Sequence, residues 1–125
     1  MQTTKQTLYD GKRNTVMQFT GTSDGDNETL VLKVDTSLLL PVPLTLKITN
    51  IQYEVVGGIV RLFWDSSIAP VPFLDLASVN EMNYEAMGGM VNGGGAGATG
   101  NILLSTLGFD AGSSYSIKLA MKKKF

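Results

Sequence analysis

Carboxylates are the residues in this sequence with the most chemistry to offer. Asp24-Gly25-Asp26-Asn27-Glu28 sets hard oxygen ligands at alternate positions, the donor type calcium favours. As an EF-hand loop the run departs from the pattern. Thr29 stands where the sharp turn needs Gly, Asp35 stands where a bidentate Glu belongs, and no flanking helices are expected. It reads as a solvated acidic turn. Asp65, Asp75, Glu81 and Glu85 could supply a pair for glycoside cleavage, which needs carboxyl groups about 5–10 Å apart across a cleft. Nothing in their spacing marks a cleft, and Asp65 reads as a residue that ends its strand. The run Gly88–Gly100 lacks the Lys and Ser or Thr that follow a phosphate-binding loop, and a strand is expected after it. Nucleotide binding is not expected. The chain has no histidine and no cysteine. Disulfides, thiol nucleophiles, the usual zinc sites and every Ser-His or Cys-His arrangement are therefore excluded. Binding or assembly is expected, with no catalysis, cofactor or metal.

The remaining candidates are binding features. Lys122-Lys123-Lys124 precedes Phe125 and reads either as a solvated end or as a dock for an acidic partner surface. Trp64 with Phe63 reads as core, since aromatic residues in alternating strands usually pack inside. Gly88–Gly100 holds seven of the fourteen glycines, so ordering it is entropically expensive. That loop is either flexible and exposed, or threads along a neighbouring subunit and orders in an assembly.

At 125 residues, with 43% hydrophobic and 17% charged, the chain suits one domain with one packed core. A net charge of −1 supplies no field that would draw nucleic acid or an anionic membrane. The opening MQTTKQTLYDGKRN has no apolar region of the secretory kind. Leu38–Leu46 is broken by Pro41, Pro43 and Thr45, far short of the roughly 20 residues that cross a bilayer. Folding in a cytoplasm is compatible with these features.

Along the chain, residues 1–14 show no sustained period and read as a polar arm preceding a β domain over 15–125. Val16–Gly21 reads as a short strand, and Leu30–Asp35 as a half-buried one with Leu30, Leu32 and Val34 inward and Lys33 and Asp35 outward. Leu44, Leu46 and Ile48 share one parity while Ile51, Tyr53 and Val55 share the other, which predicts a β-bulge near Thr49–Asn50. Gly57-Gly58 between alternating runs predicts a hairpin over about Leu44–Asp65, with Val60, Leu62 and Trp64 on one face. Leu40–Leu44 and Ala69–Phe73 share closely spaced prolines and read as extended connections at sheet edges. Leu74–Tyr84 is the one candidate helix, with no clear apolar stripe. Asn101–Thr106 and Ser114–Met121 read as strands joined by a hairpin-like link, Leu107–Ser113. The fold expected is all-β: a single-domain β-sandwich or jelly-roll-like barrel with a polar N-terminal arm and a Gly-rich loop.

The runs KVDTSLL, KITNIQYEVVGGIVRLFWD, GNILLSTLGF and GSSYSIKLAMKK, with the Gly-rich stretch between the second and third, follow one another from about residue 29 to 122. In that order the chain resembles small virion proteins of tailed bacteriophages, most of all capsid decoration (cement) proteins. The resemblance implies a β-rich homotrimer that is synthesised in the host cytoplasm and sits on the capsid surface of the virion. Its partner would be the major capsid protein, which it reinforces without catalysis, nucleic acid, membrane or small-molecule substrate. Arms and loops would reach between capsid subunits. This marks Lys12, Arg13, Gly93, Gly94, Gly95, Gly97, Lys122, Lys123 and Lys124 as candidate assembly contacts. A head-completion or tail-associated phage protein is the alternative within that group; a carbohydrate-binding β-sandwich is the alternative outside it.

Overall fold

The computed structural model describes residues 1–125. Seven strands follow in order: β1 (Gln2–Asp10), β2 (Asn14–Thr22), β3 (Val31–Val34), β4 (Thr45–Ser66), β5 (Val71–Asn83), β6 (Ala98–Leu107) and β7 (Ser114–Lys124). Every pairing is antiparallel. Helical structure amounts to two short 3-10 turns, Thr36–Leu38 and Glu85–Met87. The all-β expectation holds.

β4 organises the rest. Straight, its 22 residues would reach about 70 Å, more than twice the width of a small domain, so the strand has to bend. Its first half pairs with β7 from Thr45 to Val56, and its second half pairs with β6 from Ile59 to Ser66. β5 follows the other edge of both halves. Two layers result: a five-stranded sheet ordered β1-β2-β7-β4-β5 and a four-stranded sheet ordered β3-β6-β4-β5. They share β4 and β5 at a corner and enclose one apolar cluster that includes Phe19, Ile48, Ile51, Leu62, Trp64, Ile102, Leu104, Ile117 and Leu119. Trp64 stacks on Phe73 at the rim of that core, with ring centroids 4.2 Å apart.

The corner falls at Gly57-Gly58, which corrects the expected hairpin. The two runs around these glycines do not pair with each other; they are one strand changing partners. Gly57 has φ 90°, a conformation that favours glycine. On β5, Ser78 takes φ 64° at the same corner. The register passes from Val55 opposite Ser78 to Val60 opposite Leu76, so Val56 to Ile59 face Ala77 alone. A Cβ on Gly58 would overlap the ring of buried Phe109 and stand 2.7 Å from the Leu107 carbonyl oxygen.

Other elements divide between expectation and correction. The bulge near Thr49–Asn50 is present, as a register shift between Ile48 and Asn50 against β7. Leu74–Tyr84 is not helical: residues to Asn83 belong to β5, an edge strand whose weak stripe reflects one partner and one wet face. Leu107–Ser113 does not close a hairpin, because β6 and β7 lie on successive halves of β4 and do not pair with each other. The segment read as a polar arm contains β1, its side chains exposed except for the half-buried Asp10, and its backbone hydrogen-bonded to β2. In β3, a register shift after Leu32 turns Lys33 into the protein and leaves Leu30 and Leu32 outside, against the alternation predicted, while Val34 is buried as expected.

Gly58→Ala should cost about 1–3 kcal/mol through overpacking against Phe109 and the Leu107 carbonyl, lowering the melting temperature by several degrees. Unchanged melting would show that the corner does not depend on this close approach.

Candidate assembly interface

The sandwich has two unlike ends. At the corner end lie Gly57-Gly58, the acidic turn and the β6–β7 link. The distal end gathers the β1–β2 turn, the connection between β3 and β4, the β4–β5 turn, the Gly-rich run and the C-terminus. Strand pairing forces this convergence. The Lys123 amide donates to the Arg13 carbonyl at 2.6 Å, and Asn14 pairs with Lys122. The Leu44 amide donates to the Lys124 carbonyl at 2.9 Å. All nine candidate contact residues therefore belong to this one end, although they lie up to 112 positions apart in the sequence.

Their roles differ. Lys12, Arg13, Lys122 and Lys124 stand exposed, sharing the end with Glu85 and Asp65. Lys123 does not. Its side chain is fully buried, with Nζ 2.7 Å from Asp10 Oδ1 and donating to the Pro41 carbonyl at 3.1 Å. The reading of a wholly solvated tail is corrected by parity: Lys123 continues the inward series Tyr115, Ile117, Leu119, Met121. The Gly-rich run is anchored within the chain. Met90 pairs with Ile48, the Asn92 amide donates to Thr45 Oγ1 at 3.1 Å, and the Ser67 amide donates to the Gly97 carbonyl at 2.8 Å. Gly93 and Gly94 lie over Trp64, where a Gly94 Cβ would be 3.5 Å from the Trp64 Cβ. Gly97, at φ 89°, is crowded by Ser66 and Ser67, whereas a Cβ on Gly95 would meet open space.

Sequence reasoning missed the apolar side of this end. In the connection between β3 and β4, Leu39 and Pro43 turn inward while Leu38, Leu40, Val42 and Leu44 turn outward. Ile68, Val91 and Phe125 are exposed around them, and Leu44 and Ile68 keep 76% and 78% of their surface. Each such side chain forgoes about 1.5–3 kcal/mol that burial would contribute. The signal was available: five large apolar residues, Leu38, Leu39, Leu40, Val42 and Leu44, crowd the proline-broken run Leu38–Leu44, and with Leu39 of opposite parity no regular strand could bury them all on one face.

Two buried ion pairs brace the ends. At the corner end Lys33 Nζ lies 2.8 Å from Glu28 Oε2, Tyr115 Oη donates to Glu28 Oε1, and the ammonium stands 5.9 Å from the Tyr115 ring centroid. Burial, then the hydrogen bond to Glu28, pushes the Tyr115 phenol far above its ordinary range. At the distal end, partial burial pushes the Asp10 carboxyl up, but Lys123 and the Leu40 amide (2.8 Å) outweigh it and hold the group below the usual carboxylate range.

The carboxylates considered for chemistry are scattered. Asp65 accepts from Thr99 Oγ1 at 2.8 Å, and Asp75 pairs with Arg61 at 2.7 and 3.1 Å. Glu81 accepts from Gln52 at 2.6 Å and from Asn50 at 3.2 Å. Glu85 lines a shallow depression of about 240 Å³ with Asn14, Thr49, Gly88 and Lys122. Asp24 and Asp26 both accept from the Met1 ammonium at 3.0 Å. No three acidic side chains converge as a metal site would require. No helix is long and apolar enough to cross a membrane.

No protein-family model matches the chain, and no curated protein matches it. Among solved structures, a cupin superfamily protein from Desulfitobacterium hafniense is similar at 11% identity and a TM-score of 0.39, over 99% of this chain and 79% of that one. A Ralstonia eutropha protein provisionally assigned as a mannose-6-phosphate isomerase is similar at 12% identity and a TM-score of 0.36, over 99% and 86%. Likenesses this distant carry no conclusion about activity.

Glu28→Gln should destabilise the protein by about 3–5 kcal/mol in denaturant unfolding, because it strands the Lys33 ammonium; adding Lys33→Met should recover most of the loss. Stability should also fall at both pH extremes. The Asp10 contribution is complete above about pH 4, where the unfolded carboxyl is ionised, and is lost as pH falls through the lower folded-state value. The Tyr115 contribution is complete below about pH 10 and is lost as pH rises beyond it, because the unfolded phenol ionises first. Melting scans of wild type against Asp10→Asn and Tyr115→Phe should show the acid and alkaline slopes flattened respectively; slopes equal to wild type would remove these groups as the cause.

Proposed function

We propose that this chain is a structural virion protein that binds the outer surface of a bacteriophage capsid and reinforces it without catalysis, acting as a homotrimer. One observation supports the reading above the others. A single end of a rigid sandwich collects four exposed cations and a proline-stiffened apolar connection from segments far apart in the sequence. Exposed large apolar side chains rimmed by polar ones mark interaction surfaces, and the prolines limit the entropy lost when this one is covered. A composition without histidine or cysteine favours adhesion over chemistry.

Such a clamp reinforces a shell because it binds the assembled state and not the separated subunits. Three linked copies need only modest individual contacts, since each later contact forms at high effective concentration. The resemblance in strand and turn order over residues 29–122 supplies the partner, a major capsid protein.

Cosedimentation with expanded capsids of the parent phage tests this. Wild type should pellet with the shells, and Leu40→Asp combined with Lys124→Glu should weaken attachment at least about tenfold, a loss of about 1.4 kcal/mol, with melting nearly unchanged. Gly93→Gln should weaken attachment more than it changes melting, because Gly93 is exposed, has no positive φ, and an added Cβ meets Trp64 only at an ordinary contact distance of 3.9 Å. A protein that stays in the supernatant beside expanded shells overturns the reading.

A further inference from the structure

Three dipeptides in the sequence set an acid or an amide directly before glycine: Asp10-Gly11, Asp24-Gly25 and Asn92-Gly93. Glycine has no Cβ to shield its backbone nitrogen, which can attack the preceding side-chain carbonyl and close a five-membered succinimide. Asparagine is thermolabile for this reason. The fold blocks two of these positions. The Gly11 amide is engaged, donating to the Asn14 carbonyl at 2.8 Å, and the Gly25 amide donates to Ser23 Oγ at 3.0 Å. Asp10 and Asp24 are held in ion pairs, with Lys123 and with the Met1 ammonium, and a carboxylate resists attack by an amide. Asn92-Gly93 differs on every count. Its side chain is an amide, Gly93 is exposed outside every strand, and the Gly93 nitrogen donates to no group in the chain.

We propose that Asn92-Gly93 is a site of spontaneous deamidation set into the distal end. The Gly94 amide donates to Asn92 Oδ1 at 2.7 Å, closing a ring that contains both Asn92 Cγ and the Gly93 nitrogen. Asn92 Nδ2 donates to Thr45 Oγ1 at 3.1 Å, so both ends of the side-chain amide are fixed. A donor aimed at Oδ1 stabilises the charge that develops on this oxygen as Cγ is attacked, as an oxyanion hole does. In the reaction the Gly93 nitrogen gives up its proton to solvent and bonds to Cγ. The Cγ–Nδ2 bond breaks, and the nitrogen takes up a proton and leaves as ammonia. Water then opens the imide at either carbonyl, giving aspartate or isoaspartate, with nothing oxidised or reduced. The product sets a carboxylate beside Thr45, whose cross-strand neighbour is the exposed Lys124. An end rich in cations thus loses positive charge with age. The effect of that loss on attachment rests on the shell reading above; the modification itself does not.

Peptide mass mapping of the folded full chain, incubated at mildly alkaline pH, tests the proposal. Asn92 should show the mass gain of amide-to-acid conversion while the other asparagines stay intact. The conversion should run at least as fast as in the same chain held in denaturant, and faster as pH rises. Asp10 and Asp24 should isomerise in denaturant only, read as shifted elution of their peptides. Gly93→Ala, whose Cβ would come no closer than 3.9 Å to Trp64, should melt like wild type. It should slow the conversion at least about tenfold, because its methyl group hinders ring closure. A folded protein that keeps Asn92 while the denatured chain converts it overturns the proposal, and so does a Gly93→Ala variant that converts like wild type. Asn92→Asp supplies the product directly and should weaken capsid attachment about two- to fivefold, the size of an exposed charge contact. Attachment equal to wild type would overturn that consequence and leave the modification standing. A wild type that ignores capsids but still deamidates sinks the shell reading alone.

Discussion

A strand longer than the domain it belongs to must bend, and each backbone donor and acceptor along it must still find a partner. β4 meets both demands at Gly57-Gly58, where the ladder to β7 stops and the ladder to β6 begins. β6 and β7 consequently lie on successive halves of one strand, and the link between them crosses the corner. That link places Phe109 against Gly58, where a side chain would collide with it. Asn27 Oδ1 accepts from the Phe109 amide at 3.0 Å and from Thr106 Oγ1 at 3.1 Å, so the acidic turn is tied into the same corner. The turn that resembled a calcium loop has a structural task.

Bending one ribbon into two layers leaves seams where the layers are not hydrogen-bonded to each other. Buried ion pairs stand at both. Glu28 and Lys33, with Tyr115 from β7, join the edge of the four-stranded sheet to the five-stranded one. Asp10 and Lys123 fasten β1 and β7 to the connection at Leu40–Pro41. Isolated charges in these places would be costly, so each depends on its partner and its remaining hydrogen bonds. The second pair also holds the apolar connection of the distal end in place. Its Leu40 and Val42 are exposed because the backbone beside them is fastened, not because it is loose.

The same construction separates surfaces by chemistry. The outer face of the five-stranded sheet carries the polar row Gln6, Gln18, Lys118, Gln52 and Glu81, while the distal end combines exposed cations with exposed apolar side chains. The proposed role on a shell uses that distal end for the partner.

Period and composition established a good deal. Parity in Ser114–Met121 placed Tyr115, Ile117, Leu119 and Met121 inside, and the parity change around Thr49–Asn50 located a bulge, because alternation is a local property of one strand. The absence of histidine and cysteine set the bounds of the chemistry. Partner choice was not local. Gly57-Gly58 has the same composition whether the flanking runs pair with each other or with β7 and β6, and only long-range pairing separates hairpin from corner. Lys33 turned inward because a bulge and Glu28, five residues before it, met in space. The candidate contacts at 12–13, 93–97 and 122–124 became one end because antiparallel ladders return the chain to the same edge of the fold. Side-chain order is written into the sequence by the pleat; neighbourhood is decided by which backbones hydrogen-bond, and that choice is collective.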